Sequence, residues 1–278
     1  MILFDAHCHL YQSYRLEQAL TGAFAHFFQE KRTRGIDPAS PGVLLLAATA
    51  GSHTLGDLER LLGVSARGTG LNRVEIKDDG LSLHLKHADY PGQSVVIVAG
   101  QQVVTAERIE VLSLANRNHI ADNAALPHTI DAIRGDGAVA MIPWGAGKWM
   151  GTRARIITDY LKTAKPTGFF LGDSGNRPGF LPTPTLFAAA RSRRIAILSG
   201  TDPLPLAGEE SRLGSFGTII DAELDLSRPA VSLLEVLSEP AIKVFDYGTR
   251  QRPLGFIRRQ LSLRLQRSNK KGAGSPSN

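Results

Sequence analysis

The sequence begins MILFDAHCHLYQSY, and within it DAHCHL sets His7 and His9 two residues apart at the end of a short apolar run, behind Asp5. Side chains of an extended strand repeat direction every second residue, so the spacing predicts that Asp5, His7 and His9 share one side. Two imidazoles aimed together at a strand end are half of a site for a divalent cation such as Zn²⁺ or Mn²⁺. Asp5, deeper on the same face, is placed to orient an imidazole by a hydrogen bond. A buried, hydrogen-bonded histidine pair is the plainer alternative.

A second stretch, AMIPWGAGKWMGTRAR over residues 140–155, runs from an apolar strand through a glycine-rich turn into a helix. It lacks the spacing of a phosphate-binding P-loop. Even so, such a turn offers backbone N–H groups and the positive end of a helix to an anion. Lys148 and Arg153 are expected to bind an anionic substrate there, a phosphate ester or a carboxylate, with Arg155 nearby. Trp144 and Trp149, the chain's two tryptophans, either stack on a sugar or base or pack to close the site mouth. Arg177, in GDSGNRPGF, is a third substrate-binding candidate; with Asp173 and Asn176 it also reads as a plain turn.

Positioning these groups requires strands that end at a common edge. Apolar, β-branched runs at residues 2–6, 42–49, 94–100, 109–115, 138–143, 168–172 and 195–200 alternate with helical patterns at 15–33, 54–63, 120–135, 152–164, 183–193 and 229–238. That alternation predicts a mostly parallel sheet, and we expect a TIM-like (β/α) barrel of seven or eight strands. An open doubly wound sheet is the alternative, without a G-x-G-x-x-G after its first strand. Residues 72–90, NRVEIKDDGLSLHLKHADY, alternate on both sides of Asp79-Gly80 and predict a β-hairpin, expected as an excursion from the main sheet.

Length and charge fit one domain. A chain of 278 residues is close to the roughly 250 of a typical barrel. The net charge of +6 is carried by the tail: Arg258, Arg259, Arg264, Arg267, Lys270 and Lys271 lie beyond residue 257 with no acid among them, which leaves residues 1–257 formally neutral. The expected division is a single domain over 1–257 and a basic, partly disordered tail over 258–278. IRRQLSLRLQR in that tail reads as a solvated end or as a short basic helix touching an anionic partner. The lone Cys8 excludes an internal disulfide and favours a reducing compartment, the cytoplasm. No run reaches the roughly 18 apolar residues of a membrane span, and the N-terminus lacks the pattern of a signal peptide.

Three segments in order resemble the PHP (polymerase and histidinol phosphatase) family within the amidohydrolase-like metal-dependent hydrolases. DAHCHL is similar to its opening H-x-H motif, SHTLGDLE to its second, and SGTDPLPLAGEESRLGSFGT to its closing segment. The opening motif is also similar to that of TatD-type nucleases. The resemblance implies a metal-dependent hydrolase acting on a small anionic substrate, with His7, His9, Asp202 and Glu110 as metal ligands. It implies catalytic roles for Asp202, as general base or ligand, and for His53. Departures are plain in the residues. Gly51-Ser52-His53 lacks the family's acid, Gln101-Gln102 stand where a metal-bridging glutamate is usual, and Pro203-Leu204 follow Asp202 where a histidine is expected. The competing implication is a degenerate relative that has lost its metal and serves binding or assembly. As plainer readings, Asp202 is a turn residue before Pro203, His53 belongs to a helix-capping loop, and Glu110 lies on a solvated strand edge.

Overall fold

The computed structural model describes residues 1–65, 70–74, 80–240 and 242–250. The first half runs β1 (Ile2–Cys8), α1 (Leu16–Arg34), β2 (Gly42–Leu46), α2 (Leu55–Ser65), β3 (Leu71–Val74), β4 (Ser82–His87) and β5 (Val95–Val98). It continues with β6 (Gly100–Val104), β7 (Glu110–Leu114), α3 (Leu126–Gly135), β8 (Val139–Pro143), α4 (Gly151–Thr163) and β9 (Phe169–Ser174). The last part holds α5 (Thr185–Arg191), β10 (Ile197–Gly200), a 3₁₀ turn (Glu209–Arg212), β11 (Phe216–Ile220), α6 (Pro229–Leu237) and β12 (Val244–Gly248). Local chemistry sets several boundaries. Thr54 and Asp57 exchange hydrogen bonds as a capping box at the start of α2. Gly35, left-handed at φ 64°, ends α1 and returns its N–H to Lys31.

The strands form two open sheets, not a closed barrel. One has seven strands in the order β12-β11-β1-β2-β5-β4-β3, the other five in the order β10-β9-β8-β7-β6. This corrects the TIM-like barrel, and two physical reasons are visible. Parallel neighbours need a crossover helix, but β6 and β7 follow one another without one and pair antiparallel; β7 and β8 pair antiparallel as well, although α3 lies between them. At the opposite edge, where a barrel would close, side chains take N–H groups of β10 and of the residue after it: Thr218 Oγ1 accepts from Ser199 (2.7 Å) and Asp5 Oδ1 accepts from Thr201 (2.8 Å).

Apolar alternation then stacks the layers. Phe4, Val43, Leu45, Val96 and Val98 of the first sheet share a buried core with Leu112, Met141, Phe170 and Leu198 of the second, joined by Leu233 and Leu237 of α6. Phe24 and Phe27 of α1 cover the outer face of the seven-stranded sheet, and Ile130, Ile157 and Phe187 of α3, α4 and α5 cover that of the five-stranded sheet. Each such side chain contributes about 1.5–3 kcal/mol by burial. The hairpin pairs as expected, Leu71 opposite His87 through Val74 opposite His84, but β4 also pairs with β5, so it forms the edge of the main sheet instead of leaving it. Its turn at residues 75–79 and the basic tail lie outside the described residues. Among the described residues no helix is long and apolar enough to cross a membrane.

Candidate metal centre

His7 and His9 reach the site because β1 is irregular. Asp5 pairs with Leu44 and Cys8 with Leu46, three steps on one strand against two on the other, so β1 carries one extra residue between them. The bulge breaks the simple alternation expected from D-x-H-x-H. Asp5 accepts from the amides of Thr201 (2.8 Å), Gly214 (3.1 Å) and His7 (3.2 Å) and from the Thr201 hydroxyl, and none of its hydrogen bonds comes from an imidazole. The expected imidazole orienter is thus a clamp on three pieces of backbone. Burial raises its carboxyl to about 6, against the pull of these donors.

Beyond the bulge the two rings converge. His7 Nε2 and His9 Nε2 stand 2.9 Å apart, with ring centroids at 4.7 Å. Asp202 Oδ1 lies 3.7 Å from the first nitrogen and 3.8 Å from the second, too far for a direct hydrogen bond to either. These three ligand atoms lie within 4.8 Å of one another. Each ring's Nδ1 is buried without a partner. Burial holds both histidines down to about 3; Lys148 adds to this at His7, and at His9 the neighbouring His7 adds while Asp202 opposes. Both imidazoles are therefore neutral at ordinary pH, the form that binds a cation. Two facing nitrogens and one carboxylate oxygen fit a divalent cation with bonds of roughly 2 Å.

Asp202 is brought there from the second sheet. It follows β10 with a left-handed backbone at φ 49°, a conformation that aspartate tolerates better than most residues and that recurs at functional sites. Its N–H donates to His7 O (2.8 Å), Ser174 donates to its Oδ2 (2.8 Å), and the Asn176 amide donates to its carbonyl. Burial raises its carboxyl, and His9, Ser174 and Lys148 oppose this. The close approach of β10 to β1 needs a glycine: a Cβ on Gly200 would lie 2.3 Å from the His7 amide nitrogen.

The other residues expected at the site sort differently. Glu110 opens β7 and is ion-paired with Lys148, and it is outside the His7–His9–Asp202 group. His53 also stands outside that group; its amide donates to Leu10 O (2.7 Å) in the loop before α2. Lys148 is ion-paired with Glu110, and its charge disfavours protonation of both histidines. Arg153 donates to Gly147 O (2.8 Å) and closes the loop that carries Lys148. Arg177, the third expected substrate contact, is buried in an ion pair. It is 4% exposed and spans both oxygens of Asp173 at 2.7 and 2.8 Å. Trp144 and Trp149 pack on the outer core, Trp149 edge-on to Phe187. Sequence reasoning missed Ser174 and Asn176 as supports of Asp202, and Tyr11, whose ring lies 5.4 Å from that of His9. The run GDSGN after a strand carried a signal for the first two, since short polar side chains at a strand end commonly fix a neighbouring turn.

No family model and no curated protein matches the sequence. Among solved structures the chain is similar to PsfC from Pseudomonas syringae PB-5123, at 13% identity and a TM-score of 0.54, over 94% of this chain and 96% of that one. A second is the lesion-specific endonuclease PfuEndoQ from Pyrococcus furiosus, at 10% identity and a TM-score of 0.48, over 88% of this chain and 58% of that one. The likeness to PsfC is one of fold.

Proposed function

We propose that this protein is a metal-dependent hydrolase in which His7, His9 and Asp202 hold one divalent cation and Lys148 receives the anionic part of a small substrate. The observation that carries the reading is the pair of buried, neutral imidazoles facing each other at 2.9 Å with a carboxylate oxygen beside both. The reading keeps the order of the PHP-type segments, H-x-H first and a late aspartate last, on a frame of two open sheets.

A divalent cation at this point supplies Lewis acidity and lowers the pKa of a water molecule toward neutrality. The chain's own groups do the rest. Ser174 fixes one oxygen of Asp202 and leaves the other toward the histidines, which favours Asp202 as a ligand over Asp202 as a free general base. Lys148 draws in and orients the anion. A binding role without catalysis has one observation in its favour: among the described residues only three groups converge on the shared point. Loading the protein with Zn²⁺ or Mn²⁺ and assaying p-nitrophenyl phosphate and bis-p-nitrophenyl phosphate separates the two. The hydrolase reading expects metal-dependent turnover that His7→Ala abolishes. Stoichiometric metal with no turnover of either ester supports the binding role.

A further inference from the structure

We propose that Glu110 is an internal counter-anion of the site: its carboxylate occupies Lys148 in the free protein and yields it to a doubly charged oxyanion of the phosphate type. The inference rests on the reading above for where substrate enters, and assigns Glu110 a role other than that of metal ligand.

The loop after β8 is built to deliver Lys148. A Cβ on Gly145 would lie 2.6 Å from Lys148 Cδ, so the lysine stem runs across the bare Cα of that glycine. The Lys148 amide donates to Gly145 O (3.0 Å), Gly147 is left-handed at φ 72°, and Arg153 holds the Gly147 carbonyl. Strand register brings Glu110 to the same edge. β7 runs antiparallel to β8, so the start of β7 lies beside the end of β8, from which the Lys148 loop departs. Tyr11, whose ring lies near that of His9, feels the charges of both Asp202 and Glu110.

The pair is water-accessible, with the lysine side chain 41% and the glutamate side chain 20% exposed. Ion pairs this exposed are weakly held and readily exchanged. Arg177, by contrast, is locked on Asp173, whereas Lys148 is exposed enough for an incoming anion to take. Exchange has a charge rule. A monoanionic carboxylate that displaces Glu110 gains no more attraction to the ammonium than it removes, and it leaves Glu110 unpaired beside it. A dianion gains about twice as much. Glu110 thereby selects phosphate-type groups over carboxylates.

The test is calorimetric titration of the metal-free full chain with inorganic phosphate and with acetate, at low salt and about pH 8, where phosphate is doubly charged. The wild-type protein should bind phosphate and not acetate. Glu110→Gln should bind phosphate about fivefold tighter, the gain expected from freeing one exposed pair, and should acquire acetate binding. Lys148→Gln should lose both, and the double variant should match Lys148→Gln. Zn²⁺ uptake by Glu110→Gln should equal that of wild type. Unchanged or weaker phosphate binding by Glu110→Gln, phosphate binding that survives Lys148→Gln, or loss of Zn²⁺ by Glu110→Gln each overturns the proposal. Because the phosphate titration needs no metal and no turnover, its result stands apart from the hydrolase reading. A chain that takes up no Zn²⁺ yet shows the Glu110–Lys148 coupling sinks that reading alone.

Discussion

Two buried ionisable clusters stand close together in this molecule, and they differ in how completely they are paired. Around Asp173, near the end of β9, both carboxylate oxygens are filled, and of its two arginines Arg250 also pairs with Asp246. Arg177 grips both carboxylate oxygens, Arg250 adds bonds of 2.7 and 3.0 Å to one of them, and the Ser174 amide donates to the other. Arg177 also lies over Phe187 and Arg250 over Phe216. One residue further on, Ser174 belongs to the other cluster, where the Nε2 atoms of two imidazoles face each other and one oxygen of the carboxylate stands 3.7 and 3.8 Å from them, bonded to neither. A saturated network fixes the fold, whereas an unsaturated one keeps coordinating capacity in reserve. Residue type alone does not separate them: the sequence offers Arg177 as a substrate contact, and the structure shows it buried on Asp173.

The largest effect should come from breaking the saturated cluster. Asp173→Ala strands a buried guanidinium, and we expect a loss of about 3–5 kcal/mol in urea unfolding, while the folded fraction keeps its metal affinity. A loss under about 1 kcal/mol, the scale of an exposed pair, would erase the distinction between the two regions.

Asp5 lies between the extremes, buried with several donors and no cation. Burial lifts its carboxyl from 3.8 to about 6, so between these values the folded protein holds a proton that the unfolded chain has released. Its contribution to stability is therefore full below about pH 4, falls as pH rises toward 6, and is flat above, by about 3 kcal/mol in all. Unfolding measured across that window should show the slope in wild type and not in Asp5→Asn. A wild-type slope of opposite sign would mean that the donors outweigh burial and that Asp5 is ionised throughout.

A smaller effect, read in affinity, should follow Ser174→Ala. Removing the hydroxyl that fixes Asp202 Oδ2 should weaken Zn²⁺ binding by about 10–100-fold while costing about 1 kcal/mol of stability. Unchanged affinity would place Asp202 outside the ligand set.

The sequence made the elements legible and left their closure hidden. Six helices fall where periodicity puts them, and DAHCHL and SGTD mark the two strand ends that meet. β11 escaped because Gly217 interrupts FGTII, yet that glycine is demanded by packing: a Cβ there would lie 2.3 Å from Phe4 O. The antiparallel pairing of β1 with β11 joins residues some two hundred positions apart, Ile2 opposite Ile220, which local patterns do not encode. The bulge in β1 is likewise a property of its pairing with β2. For this reason Asp5 was placed with the histidines by alternation and is found clamping the backbone. Lys148 was readable from its glycine-rich loop, whereas Glu110 could be seen as its partner only once β7 was known to run antiparallel to β8.

The central claim is that His7 and His9 serve a cation and not the core. Zn²⁺ titration by calorimetry, with melting temperature measured in parallel on wild type, His7→Ala and His9→Ala, tests it most directly. One ion per wild-type chain is expected, with loss of that binding in both variants and melting temperatures of the metal-free variants close to that of the metal-free wild type. A wild-type chain that takes up no Zn²⁺, or variants that bind it as before while melting far lower, would contradict it.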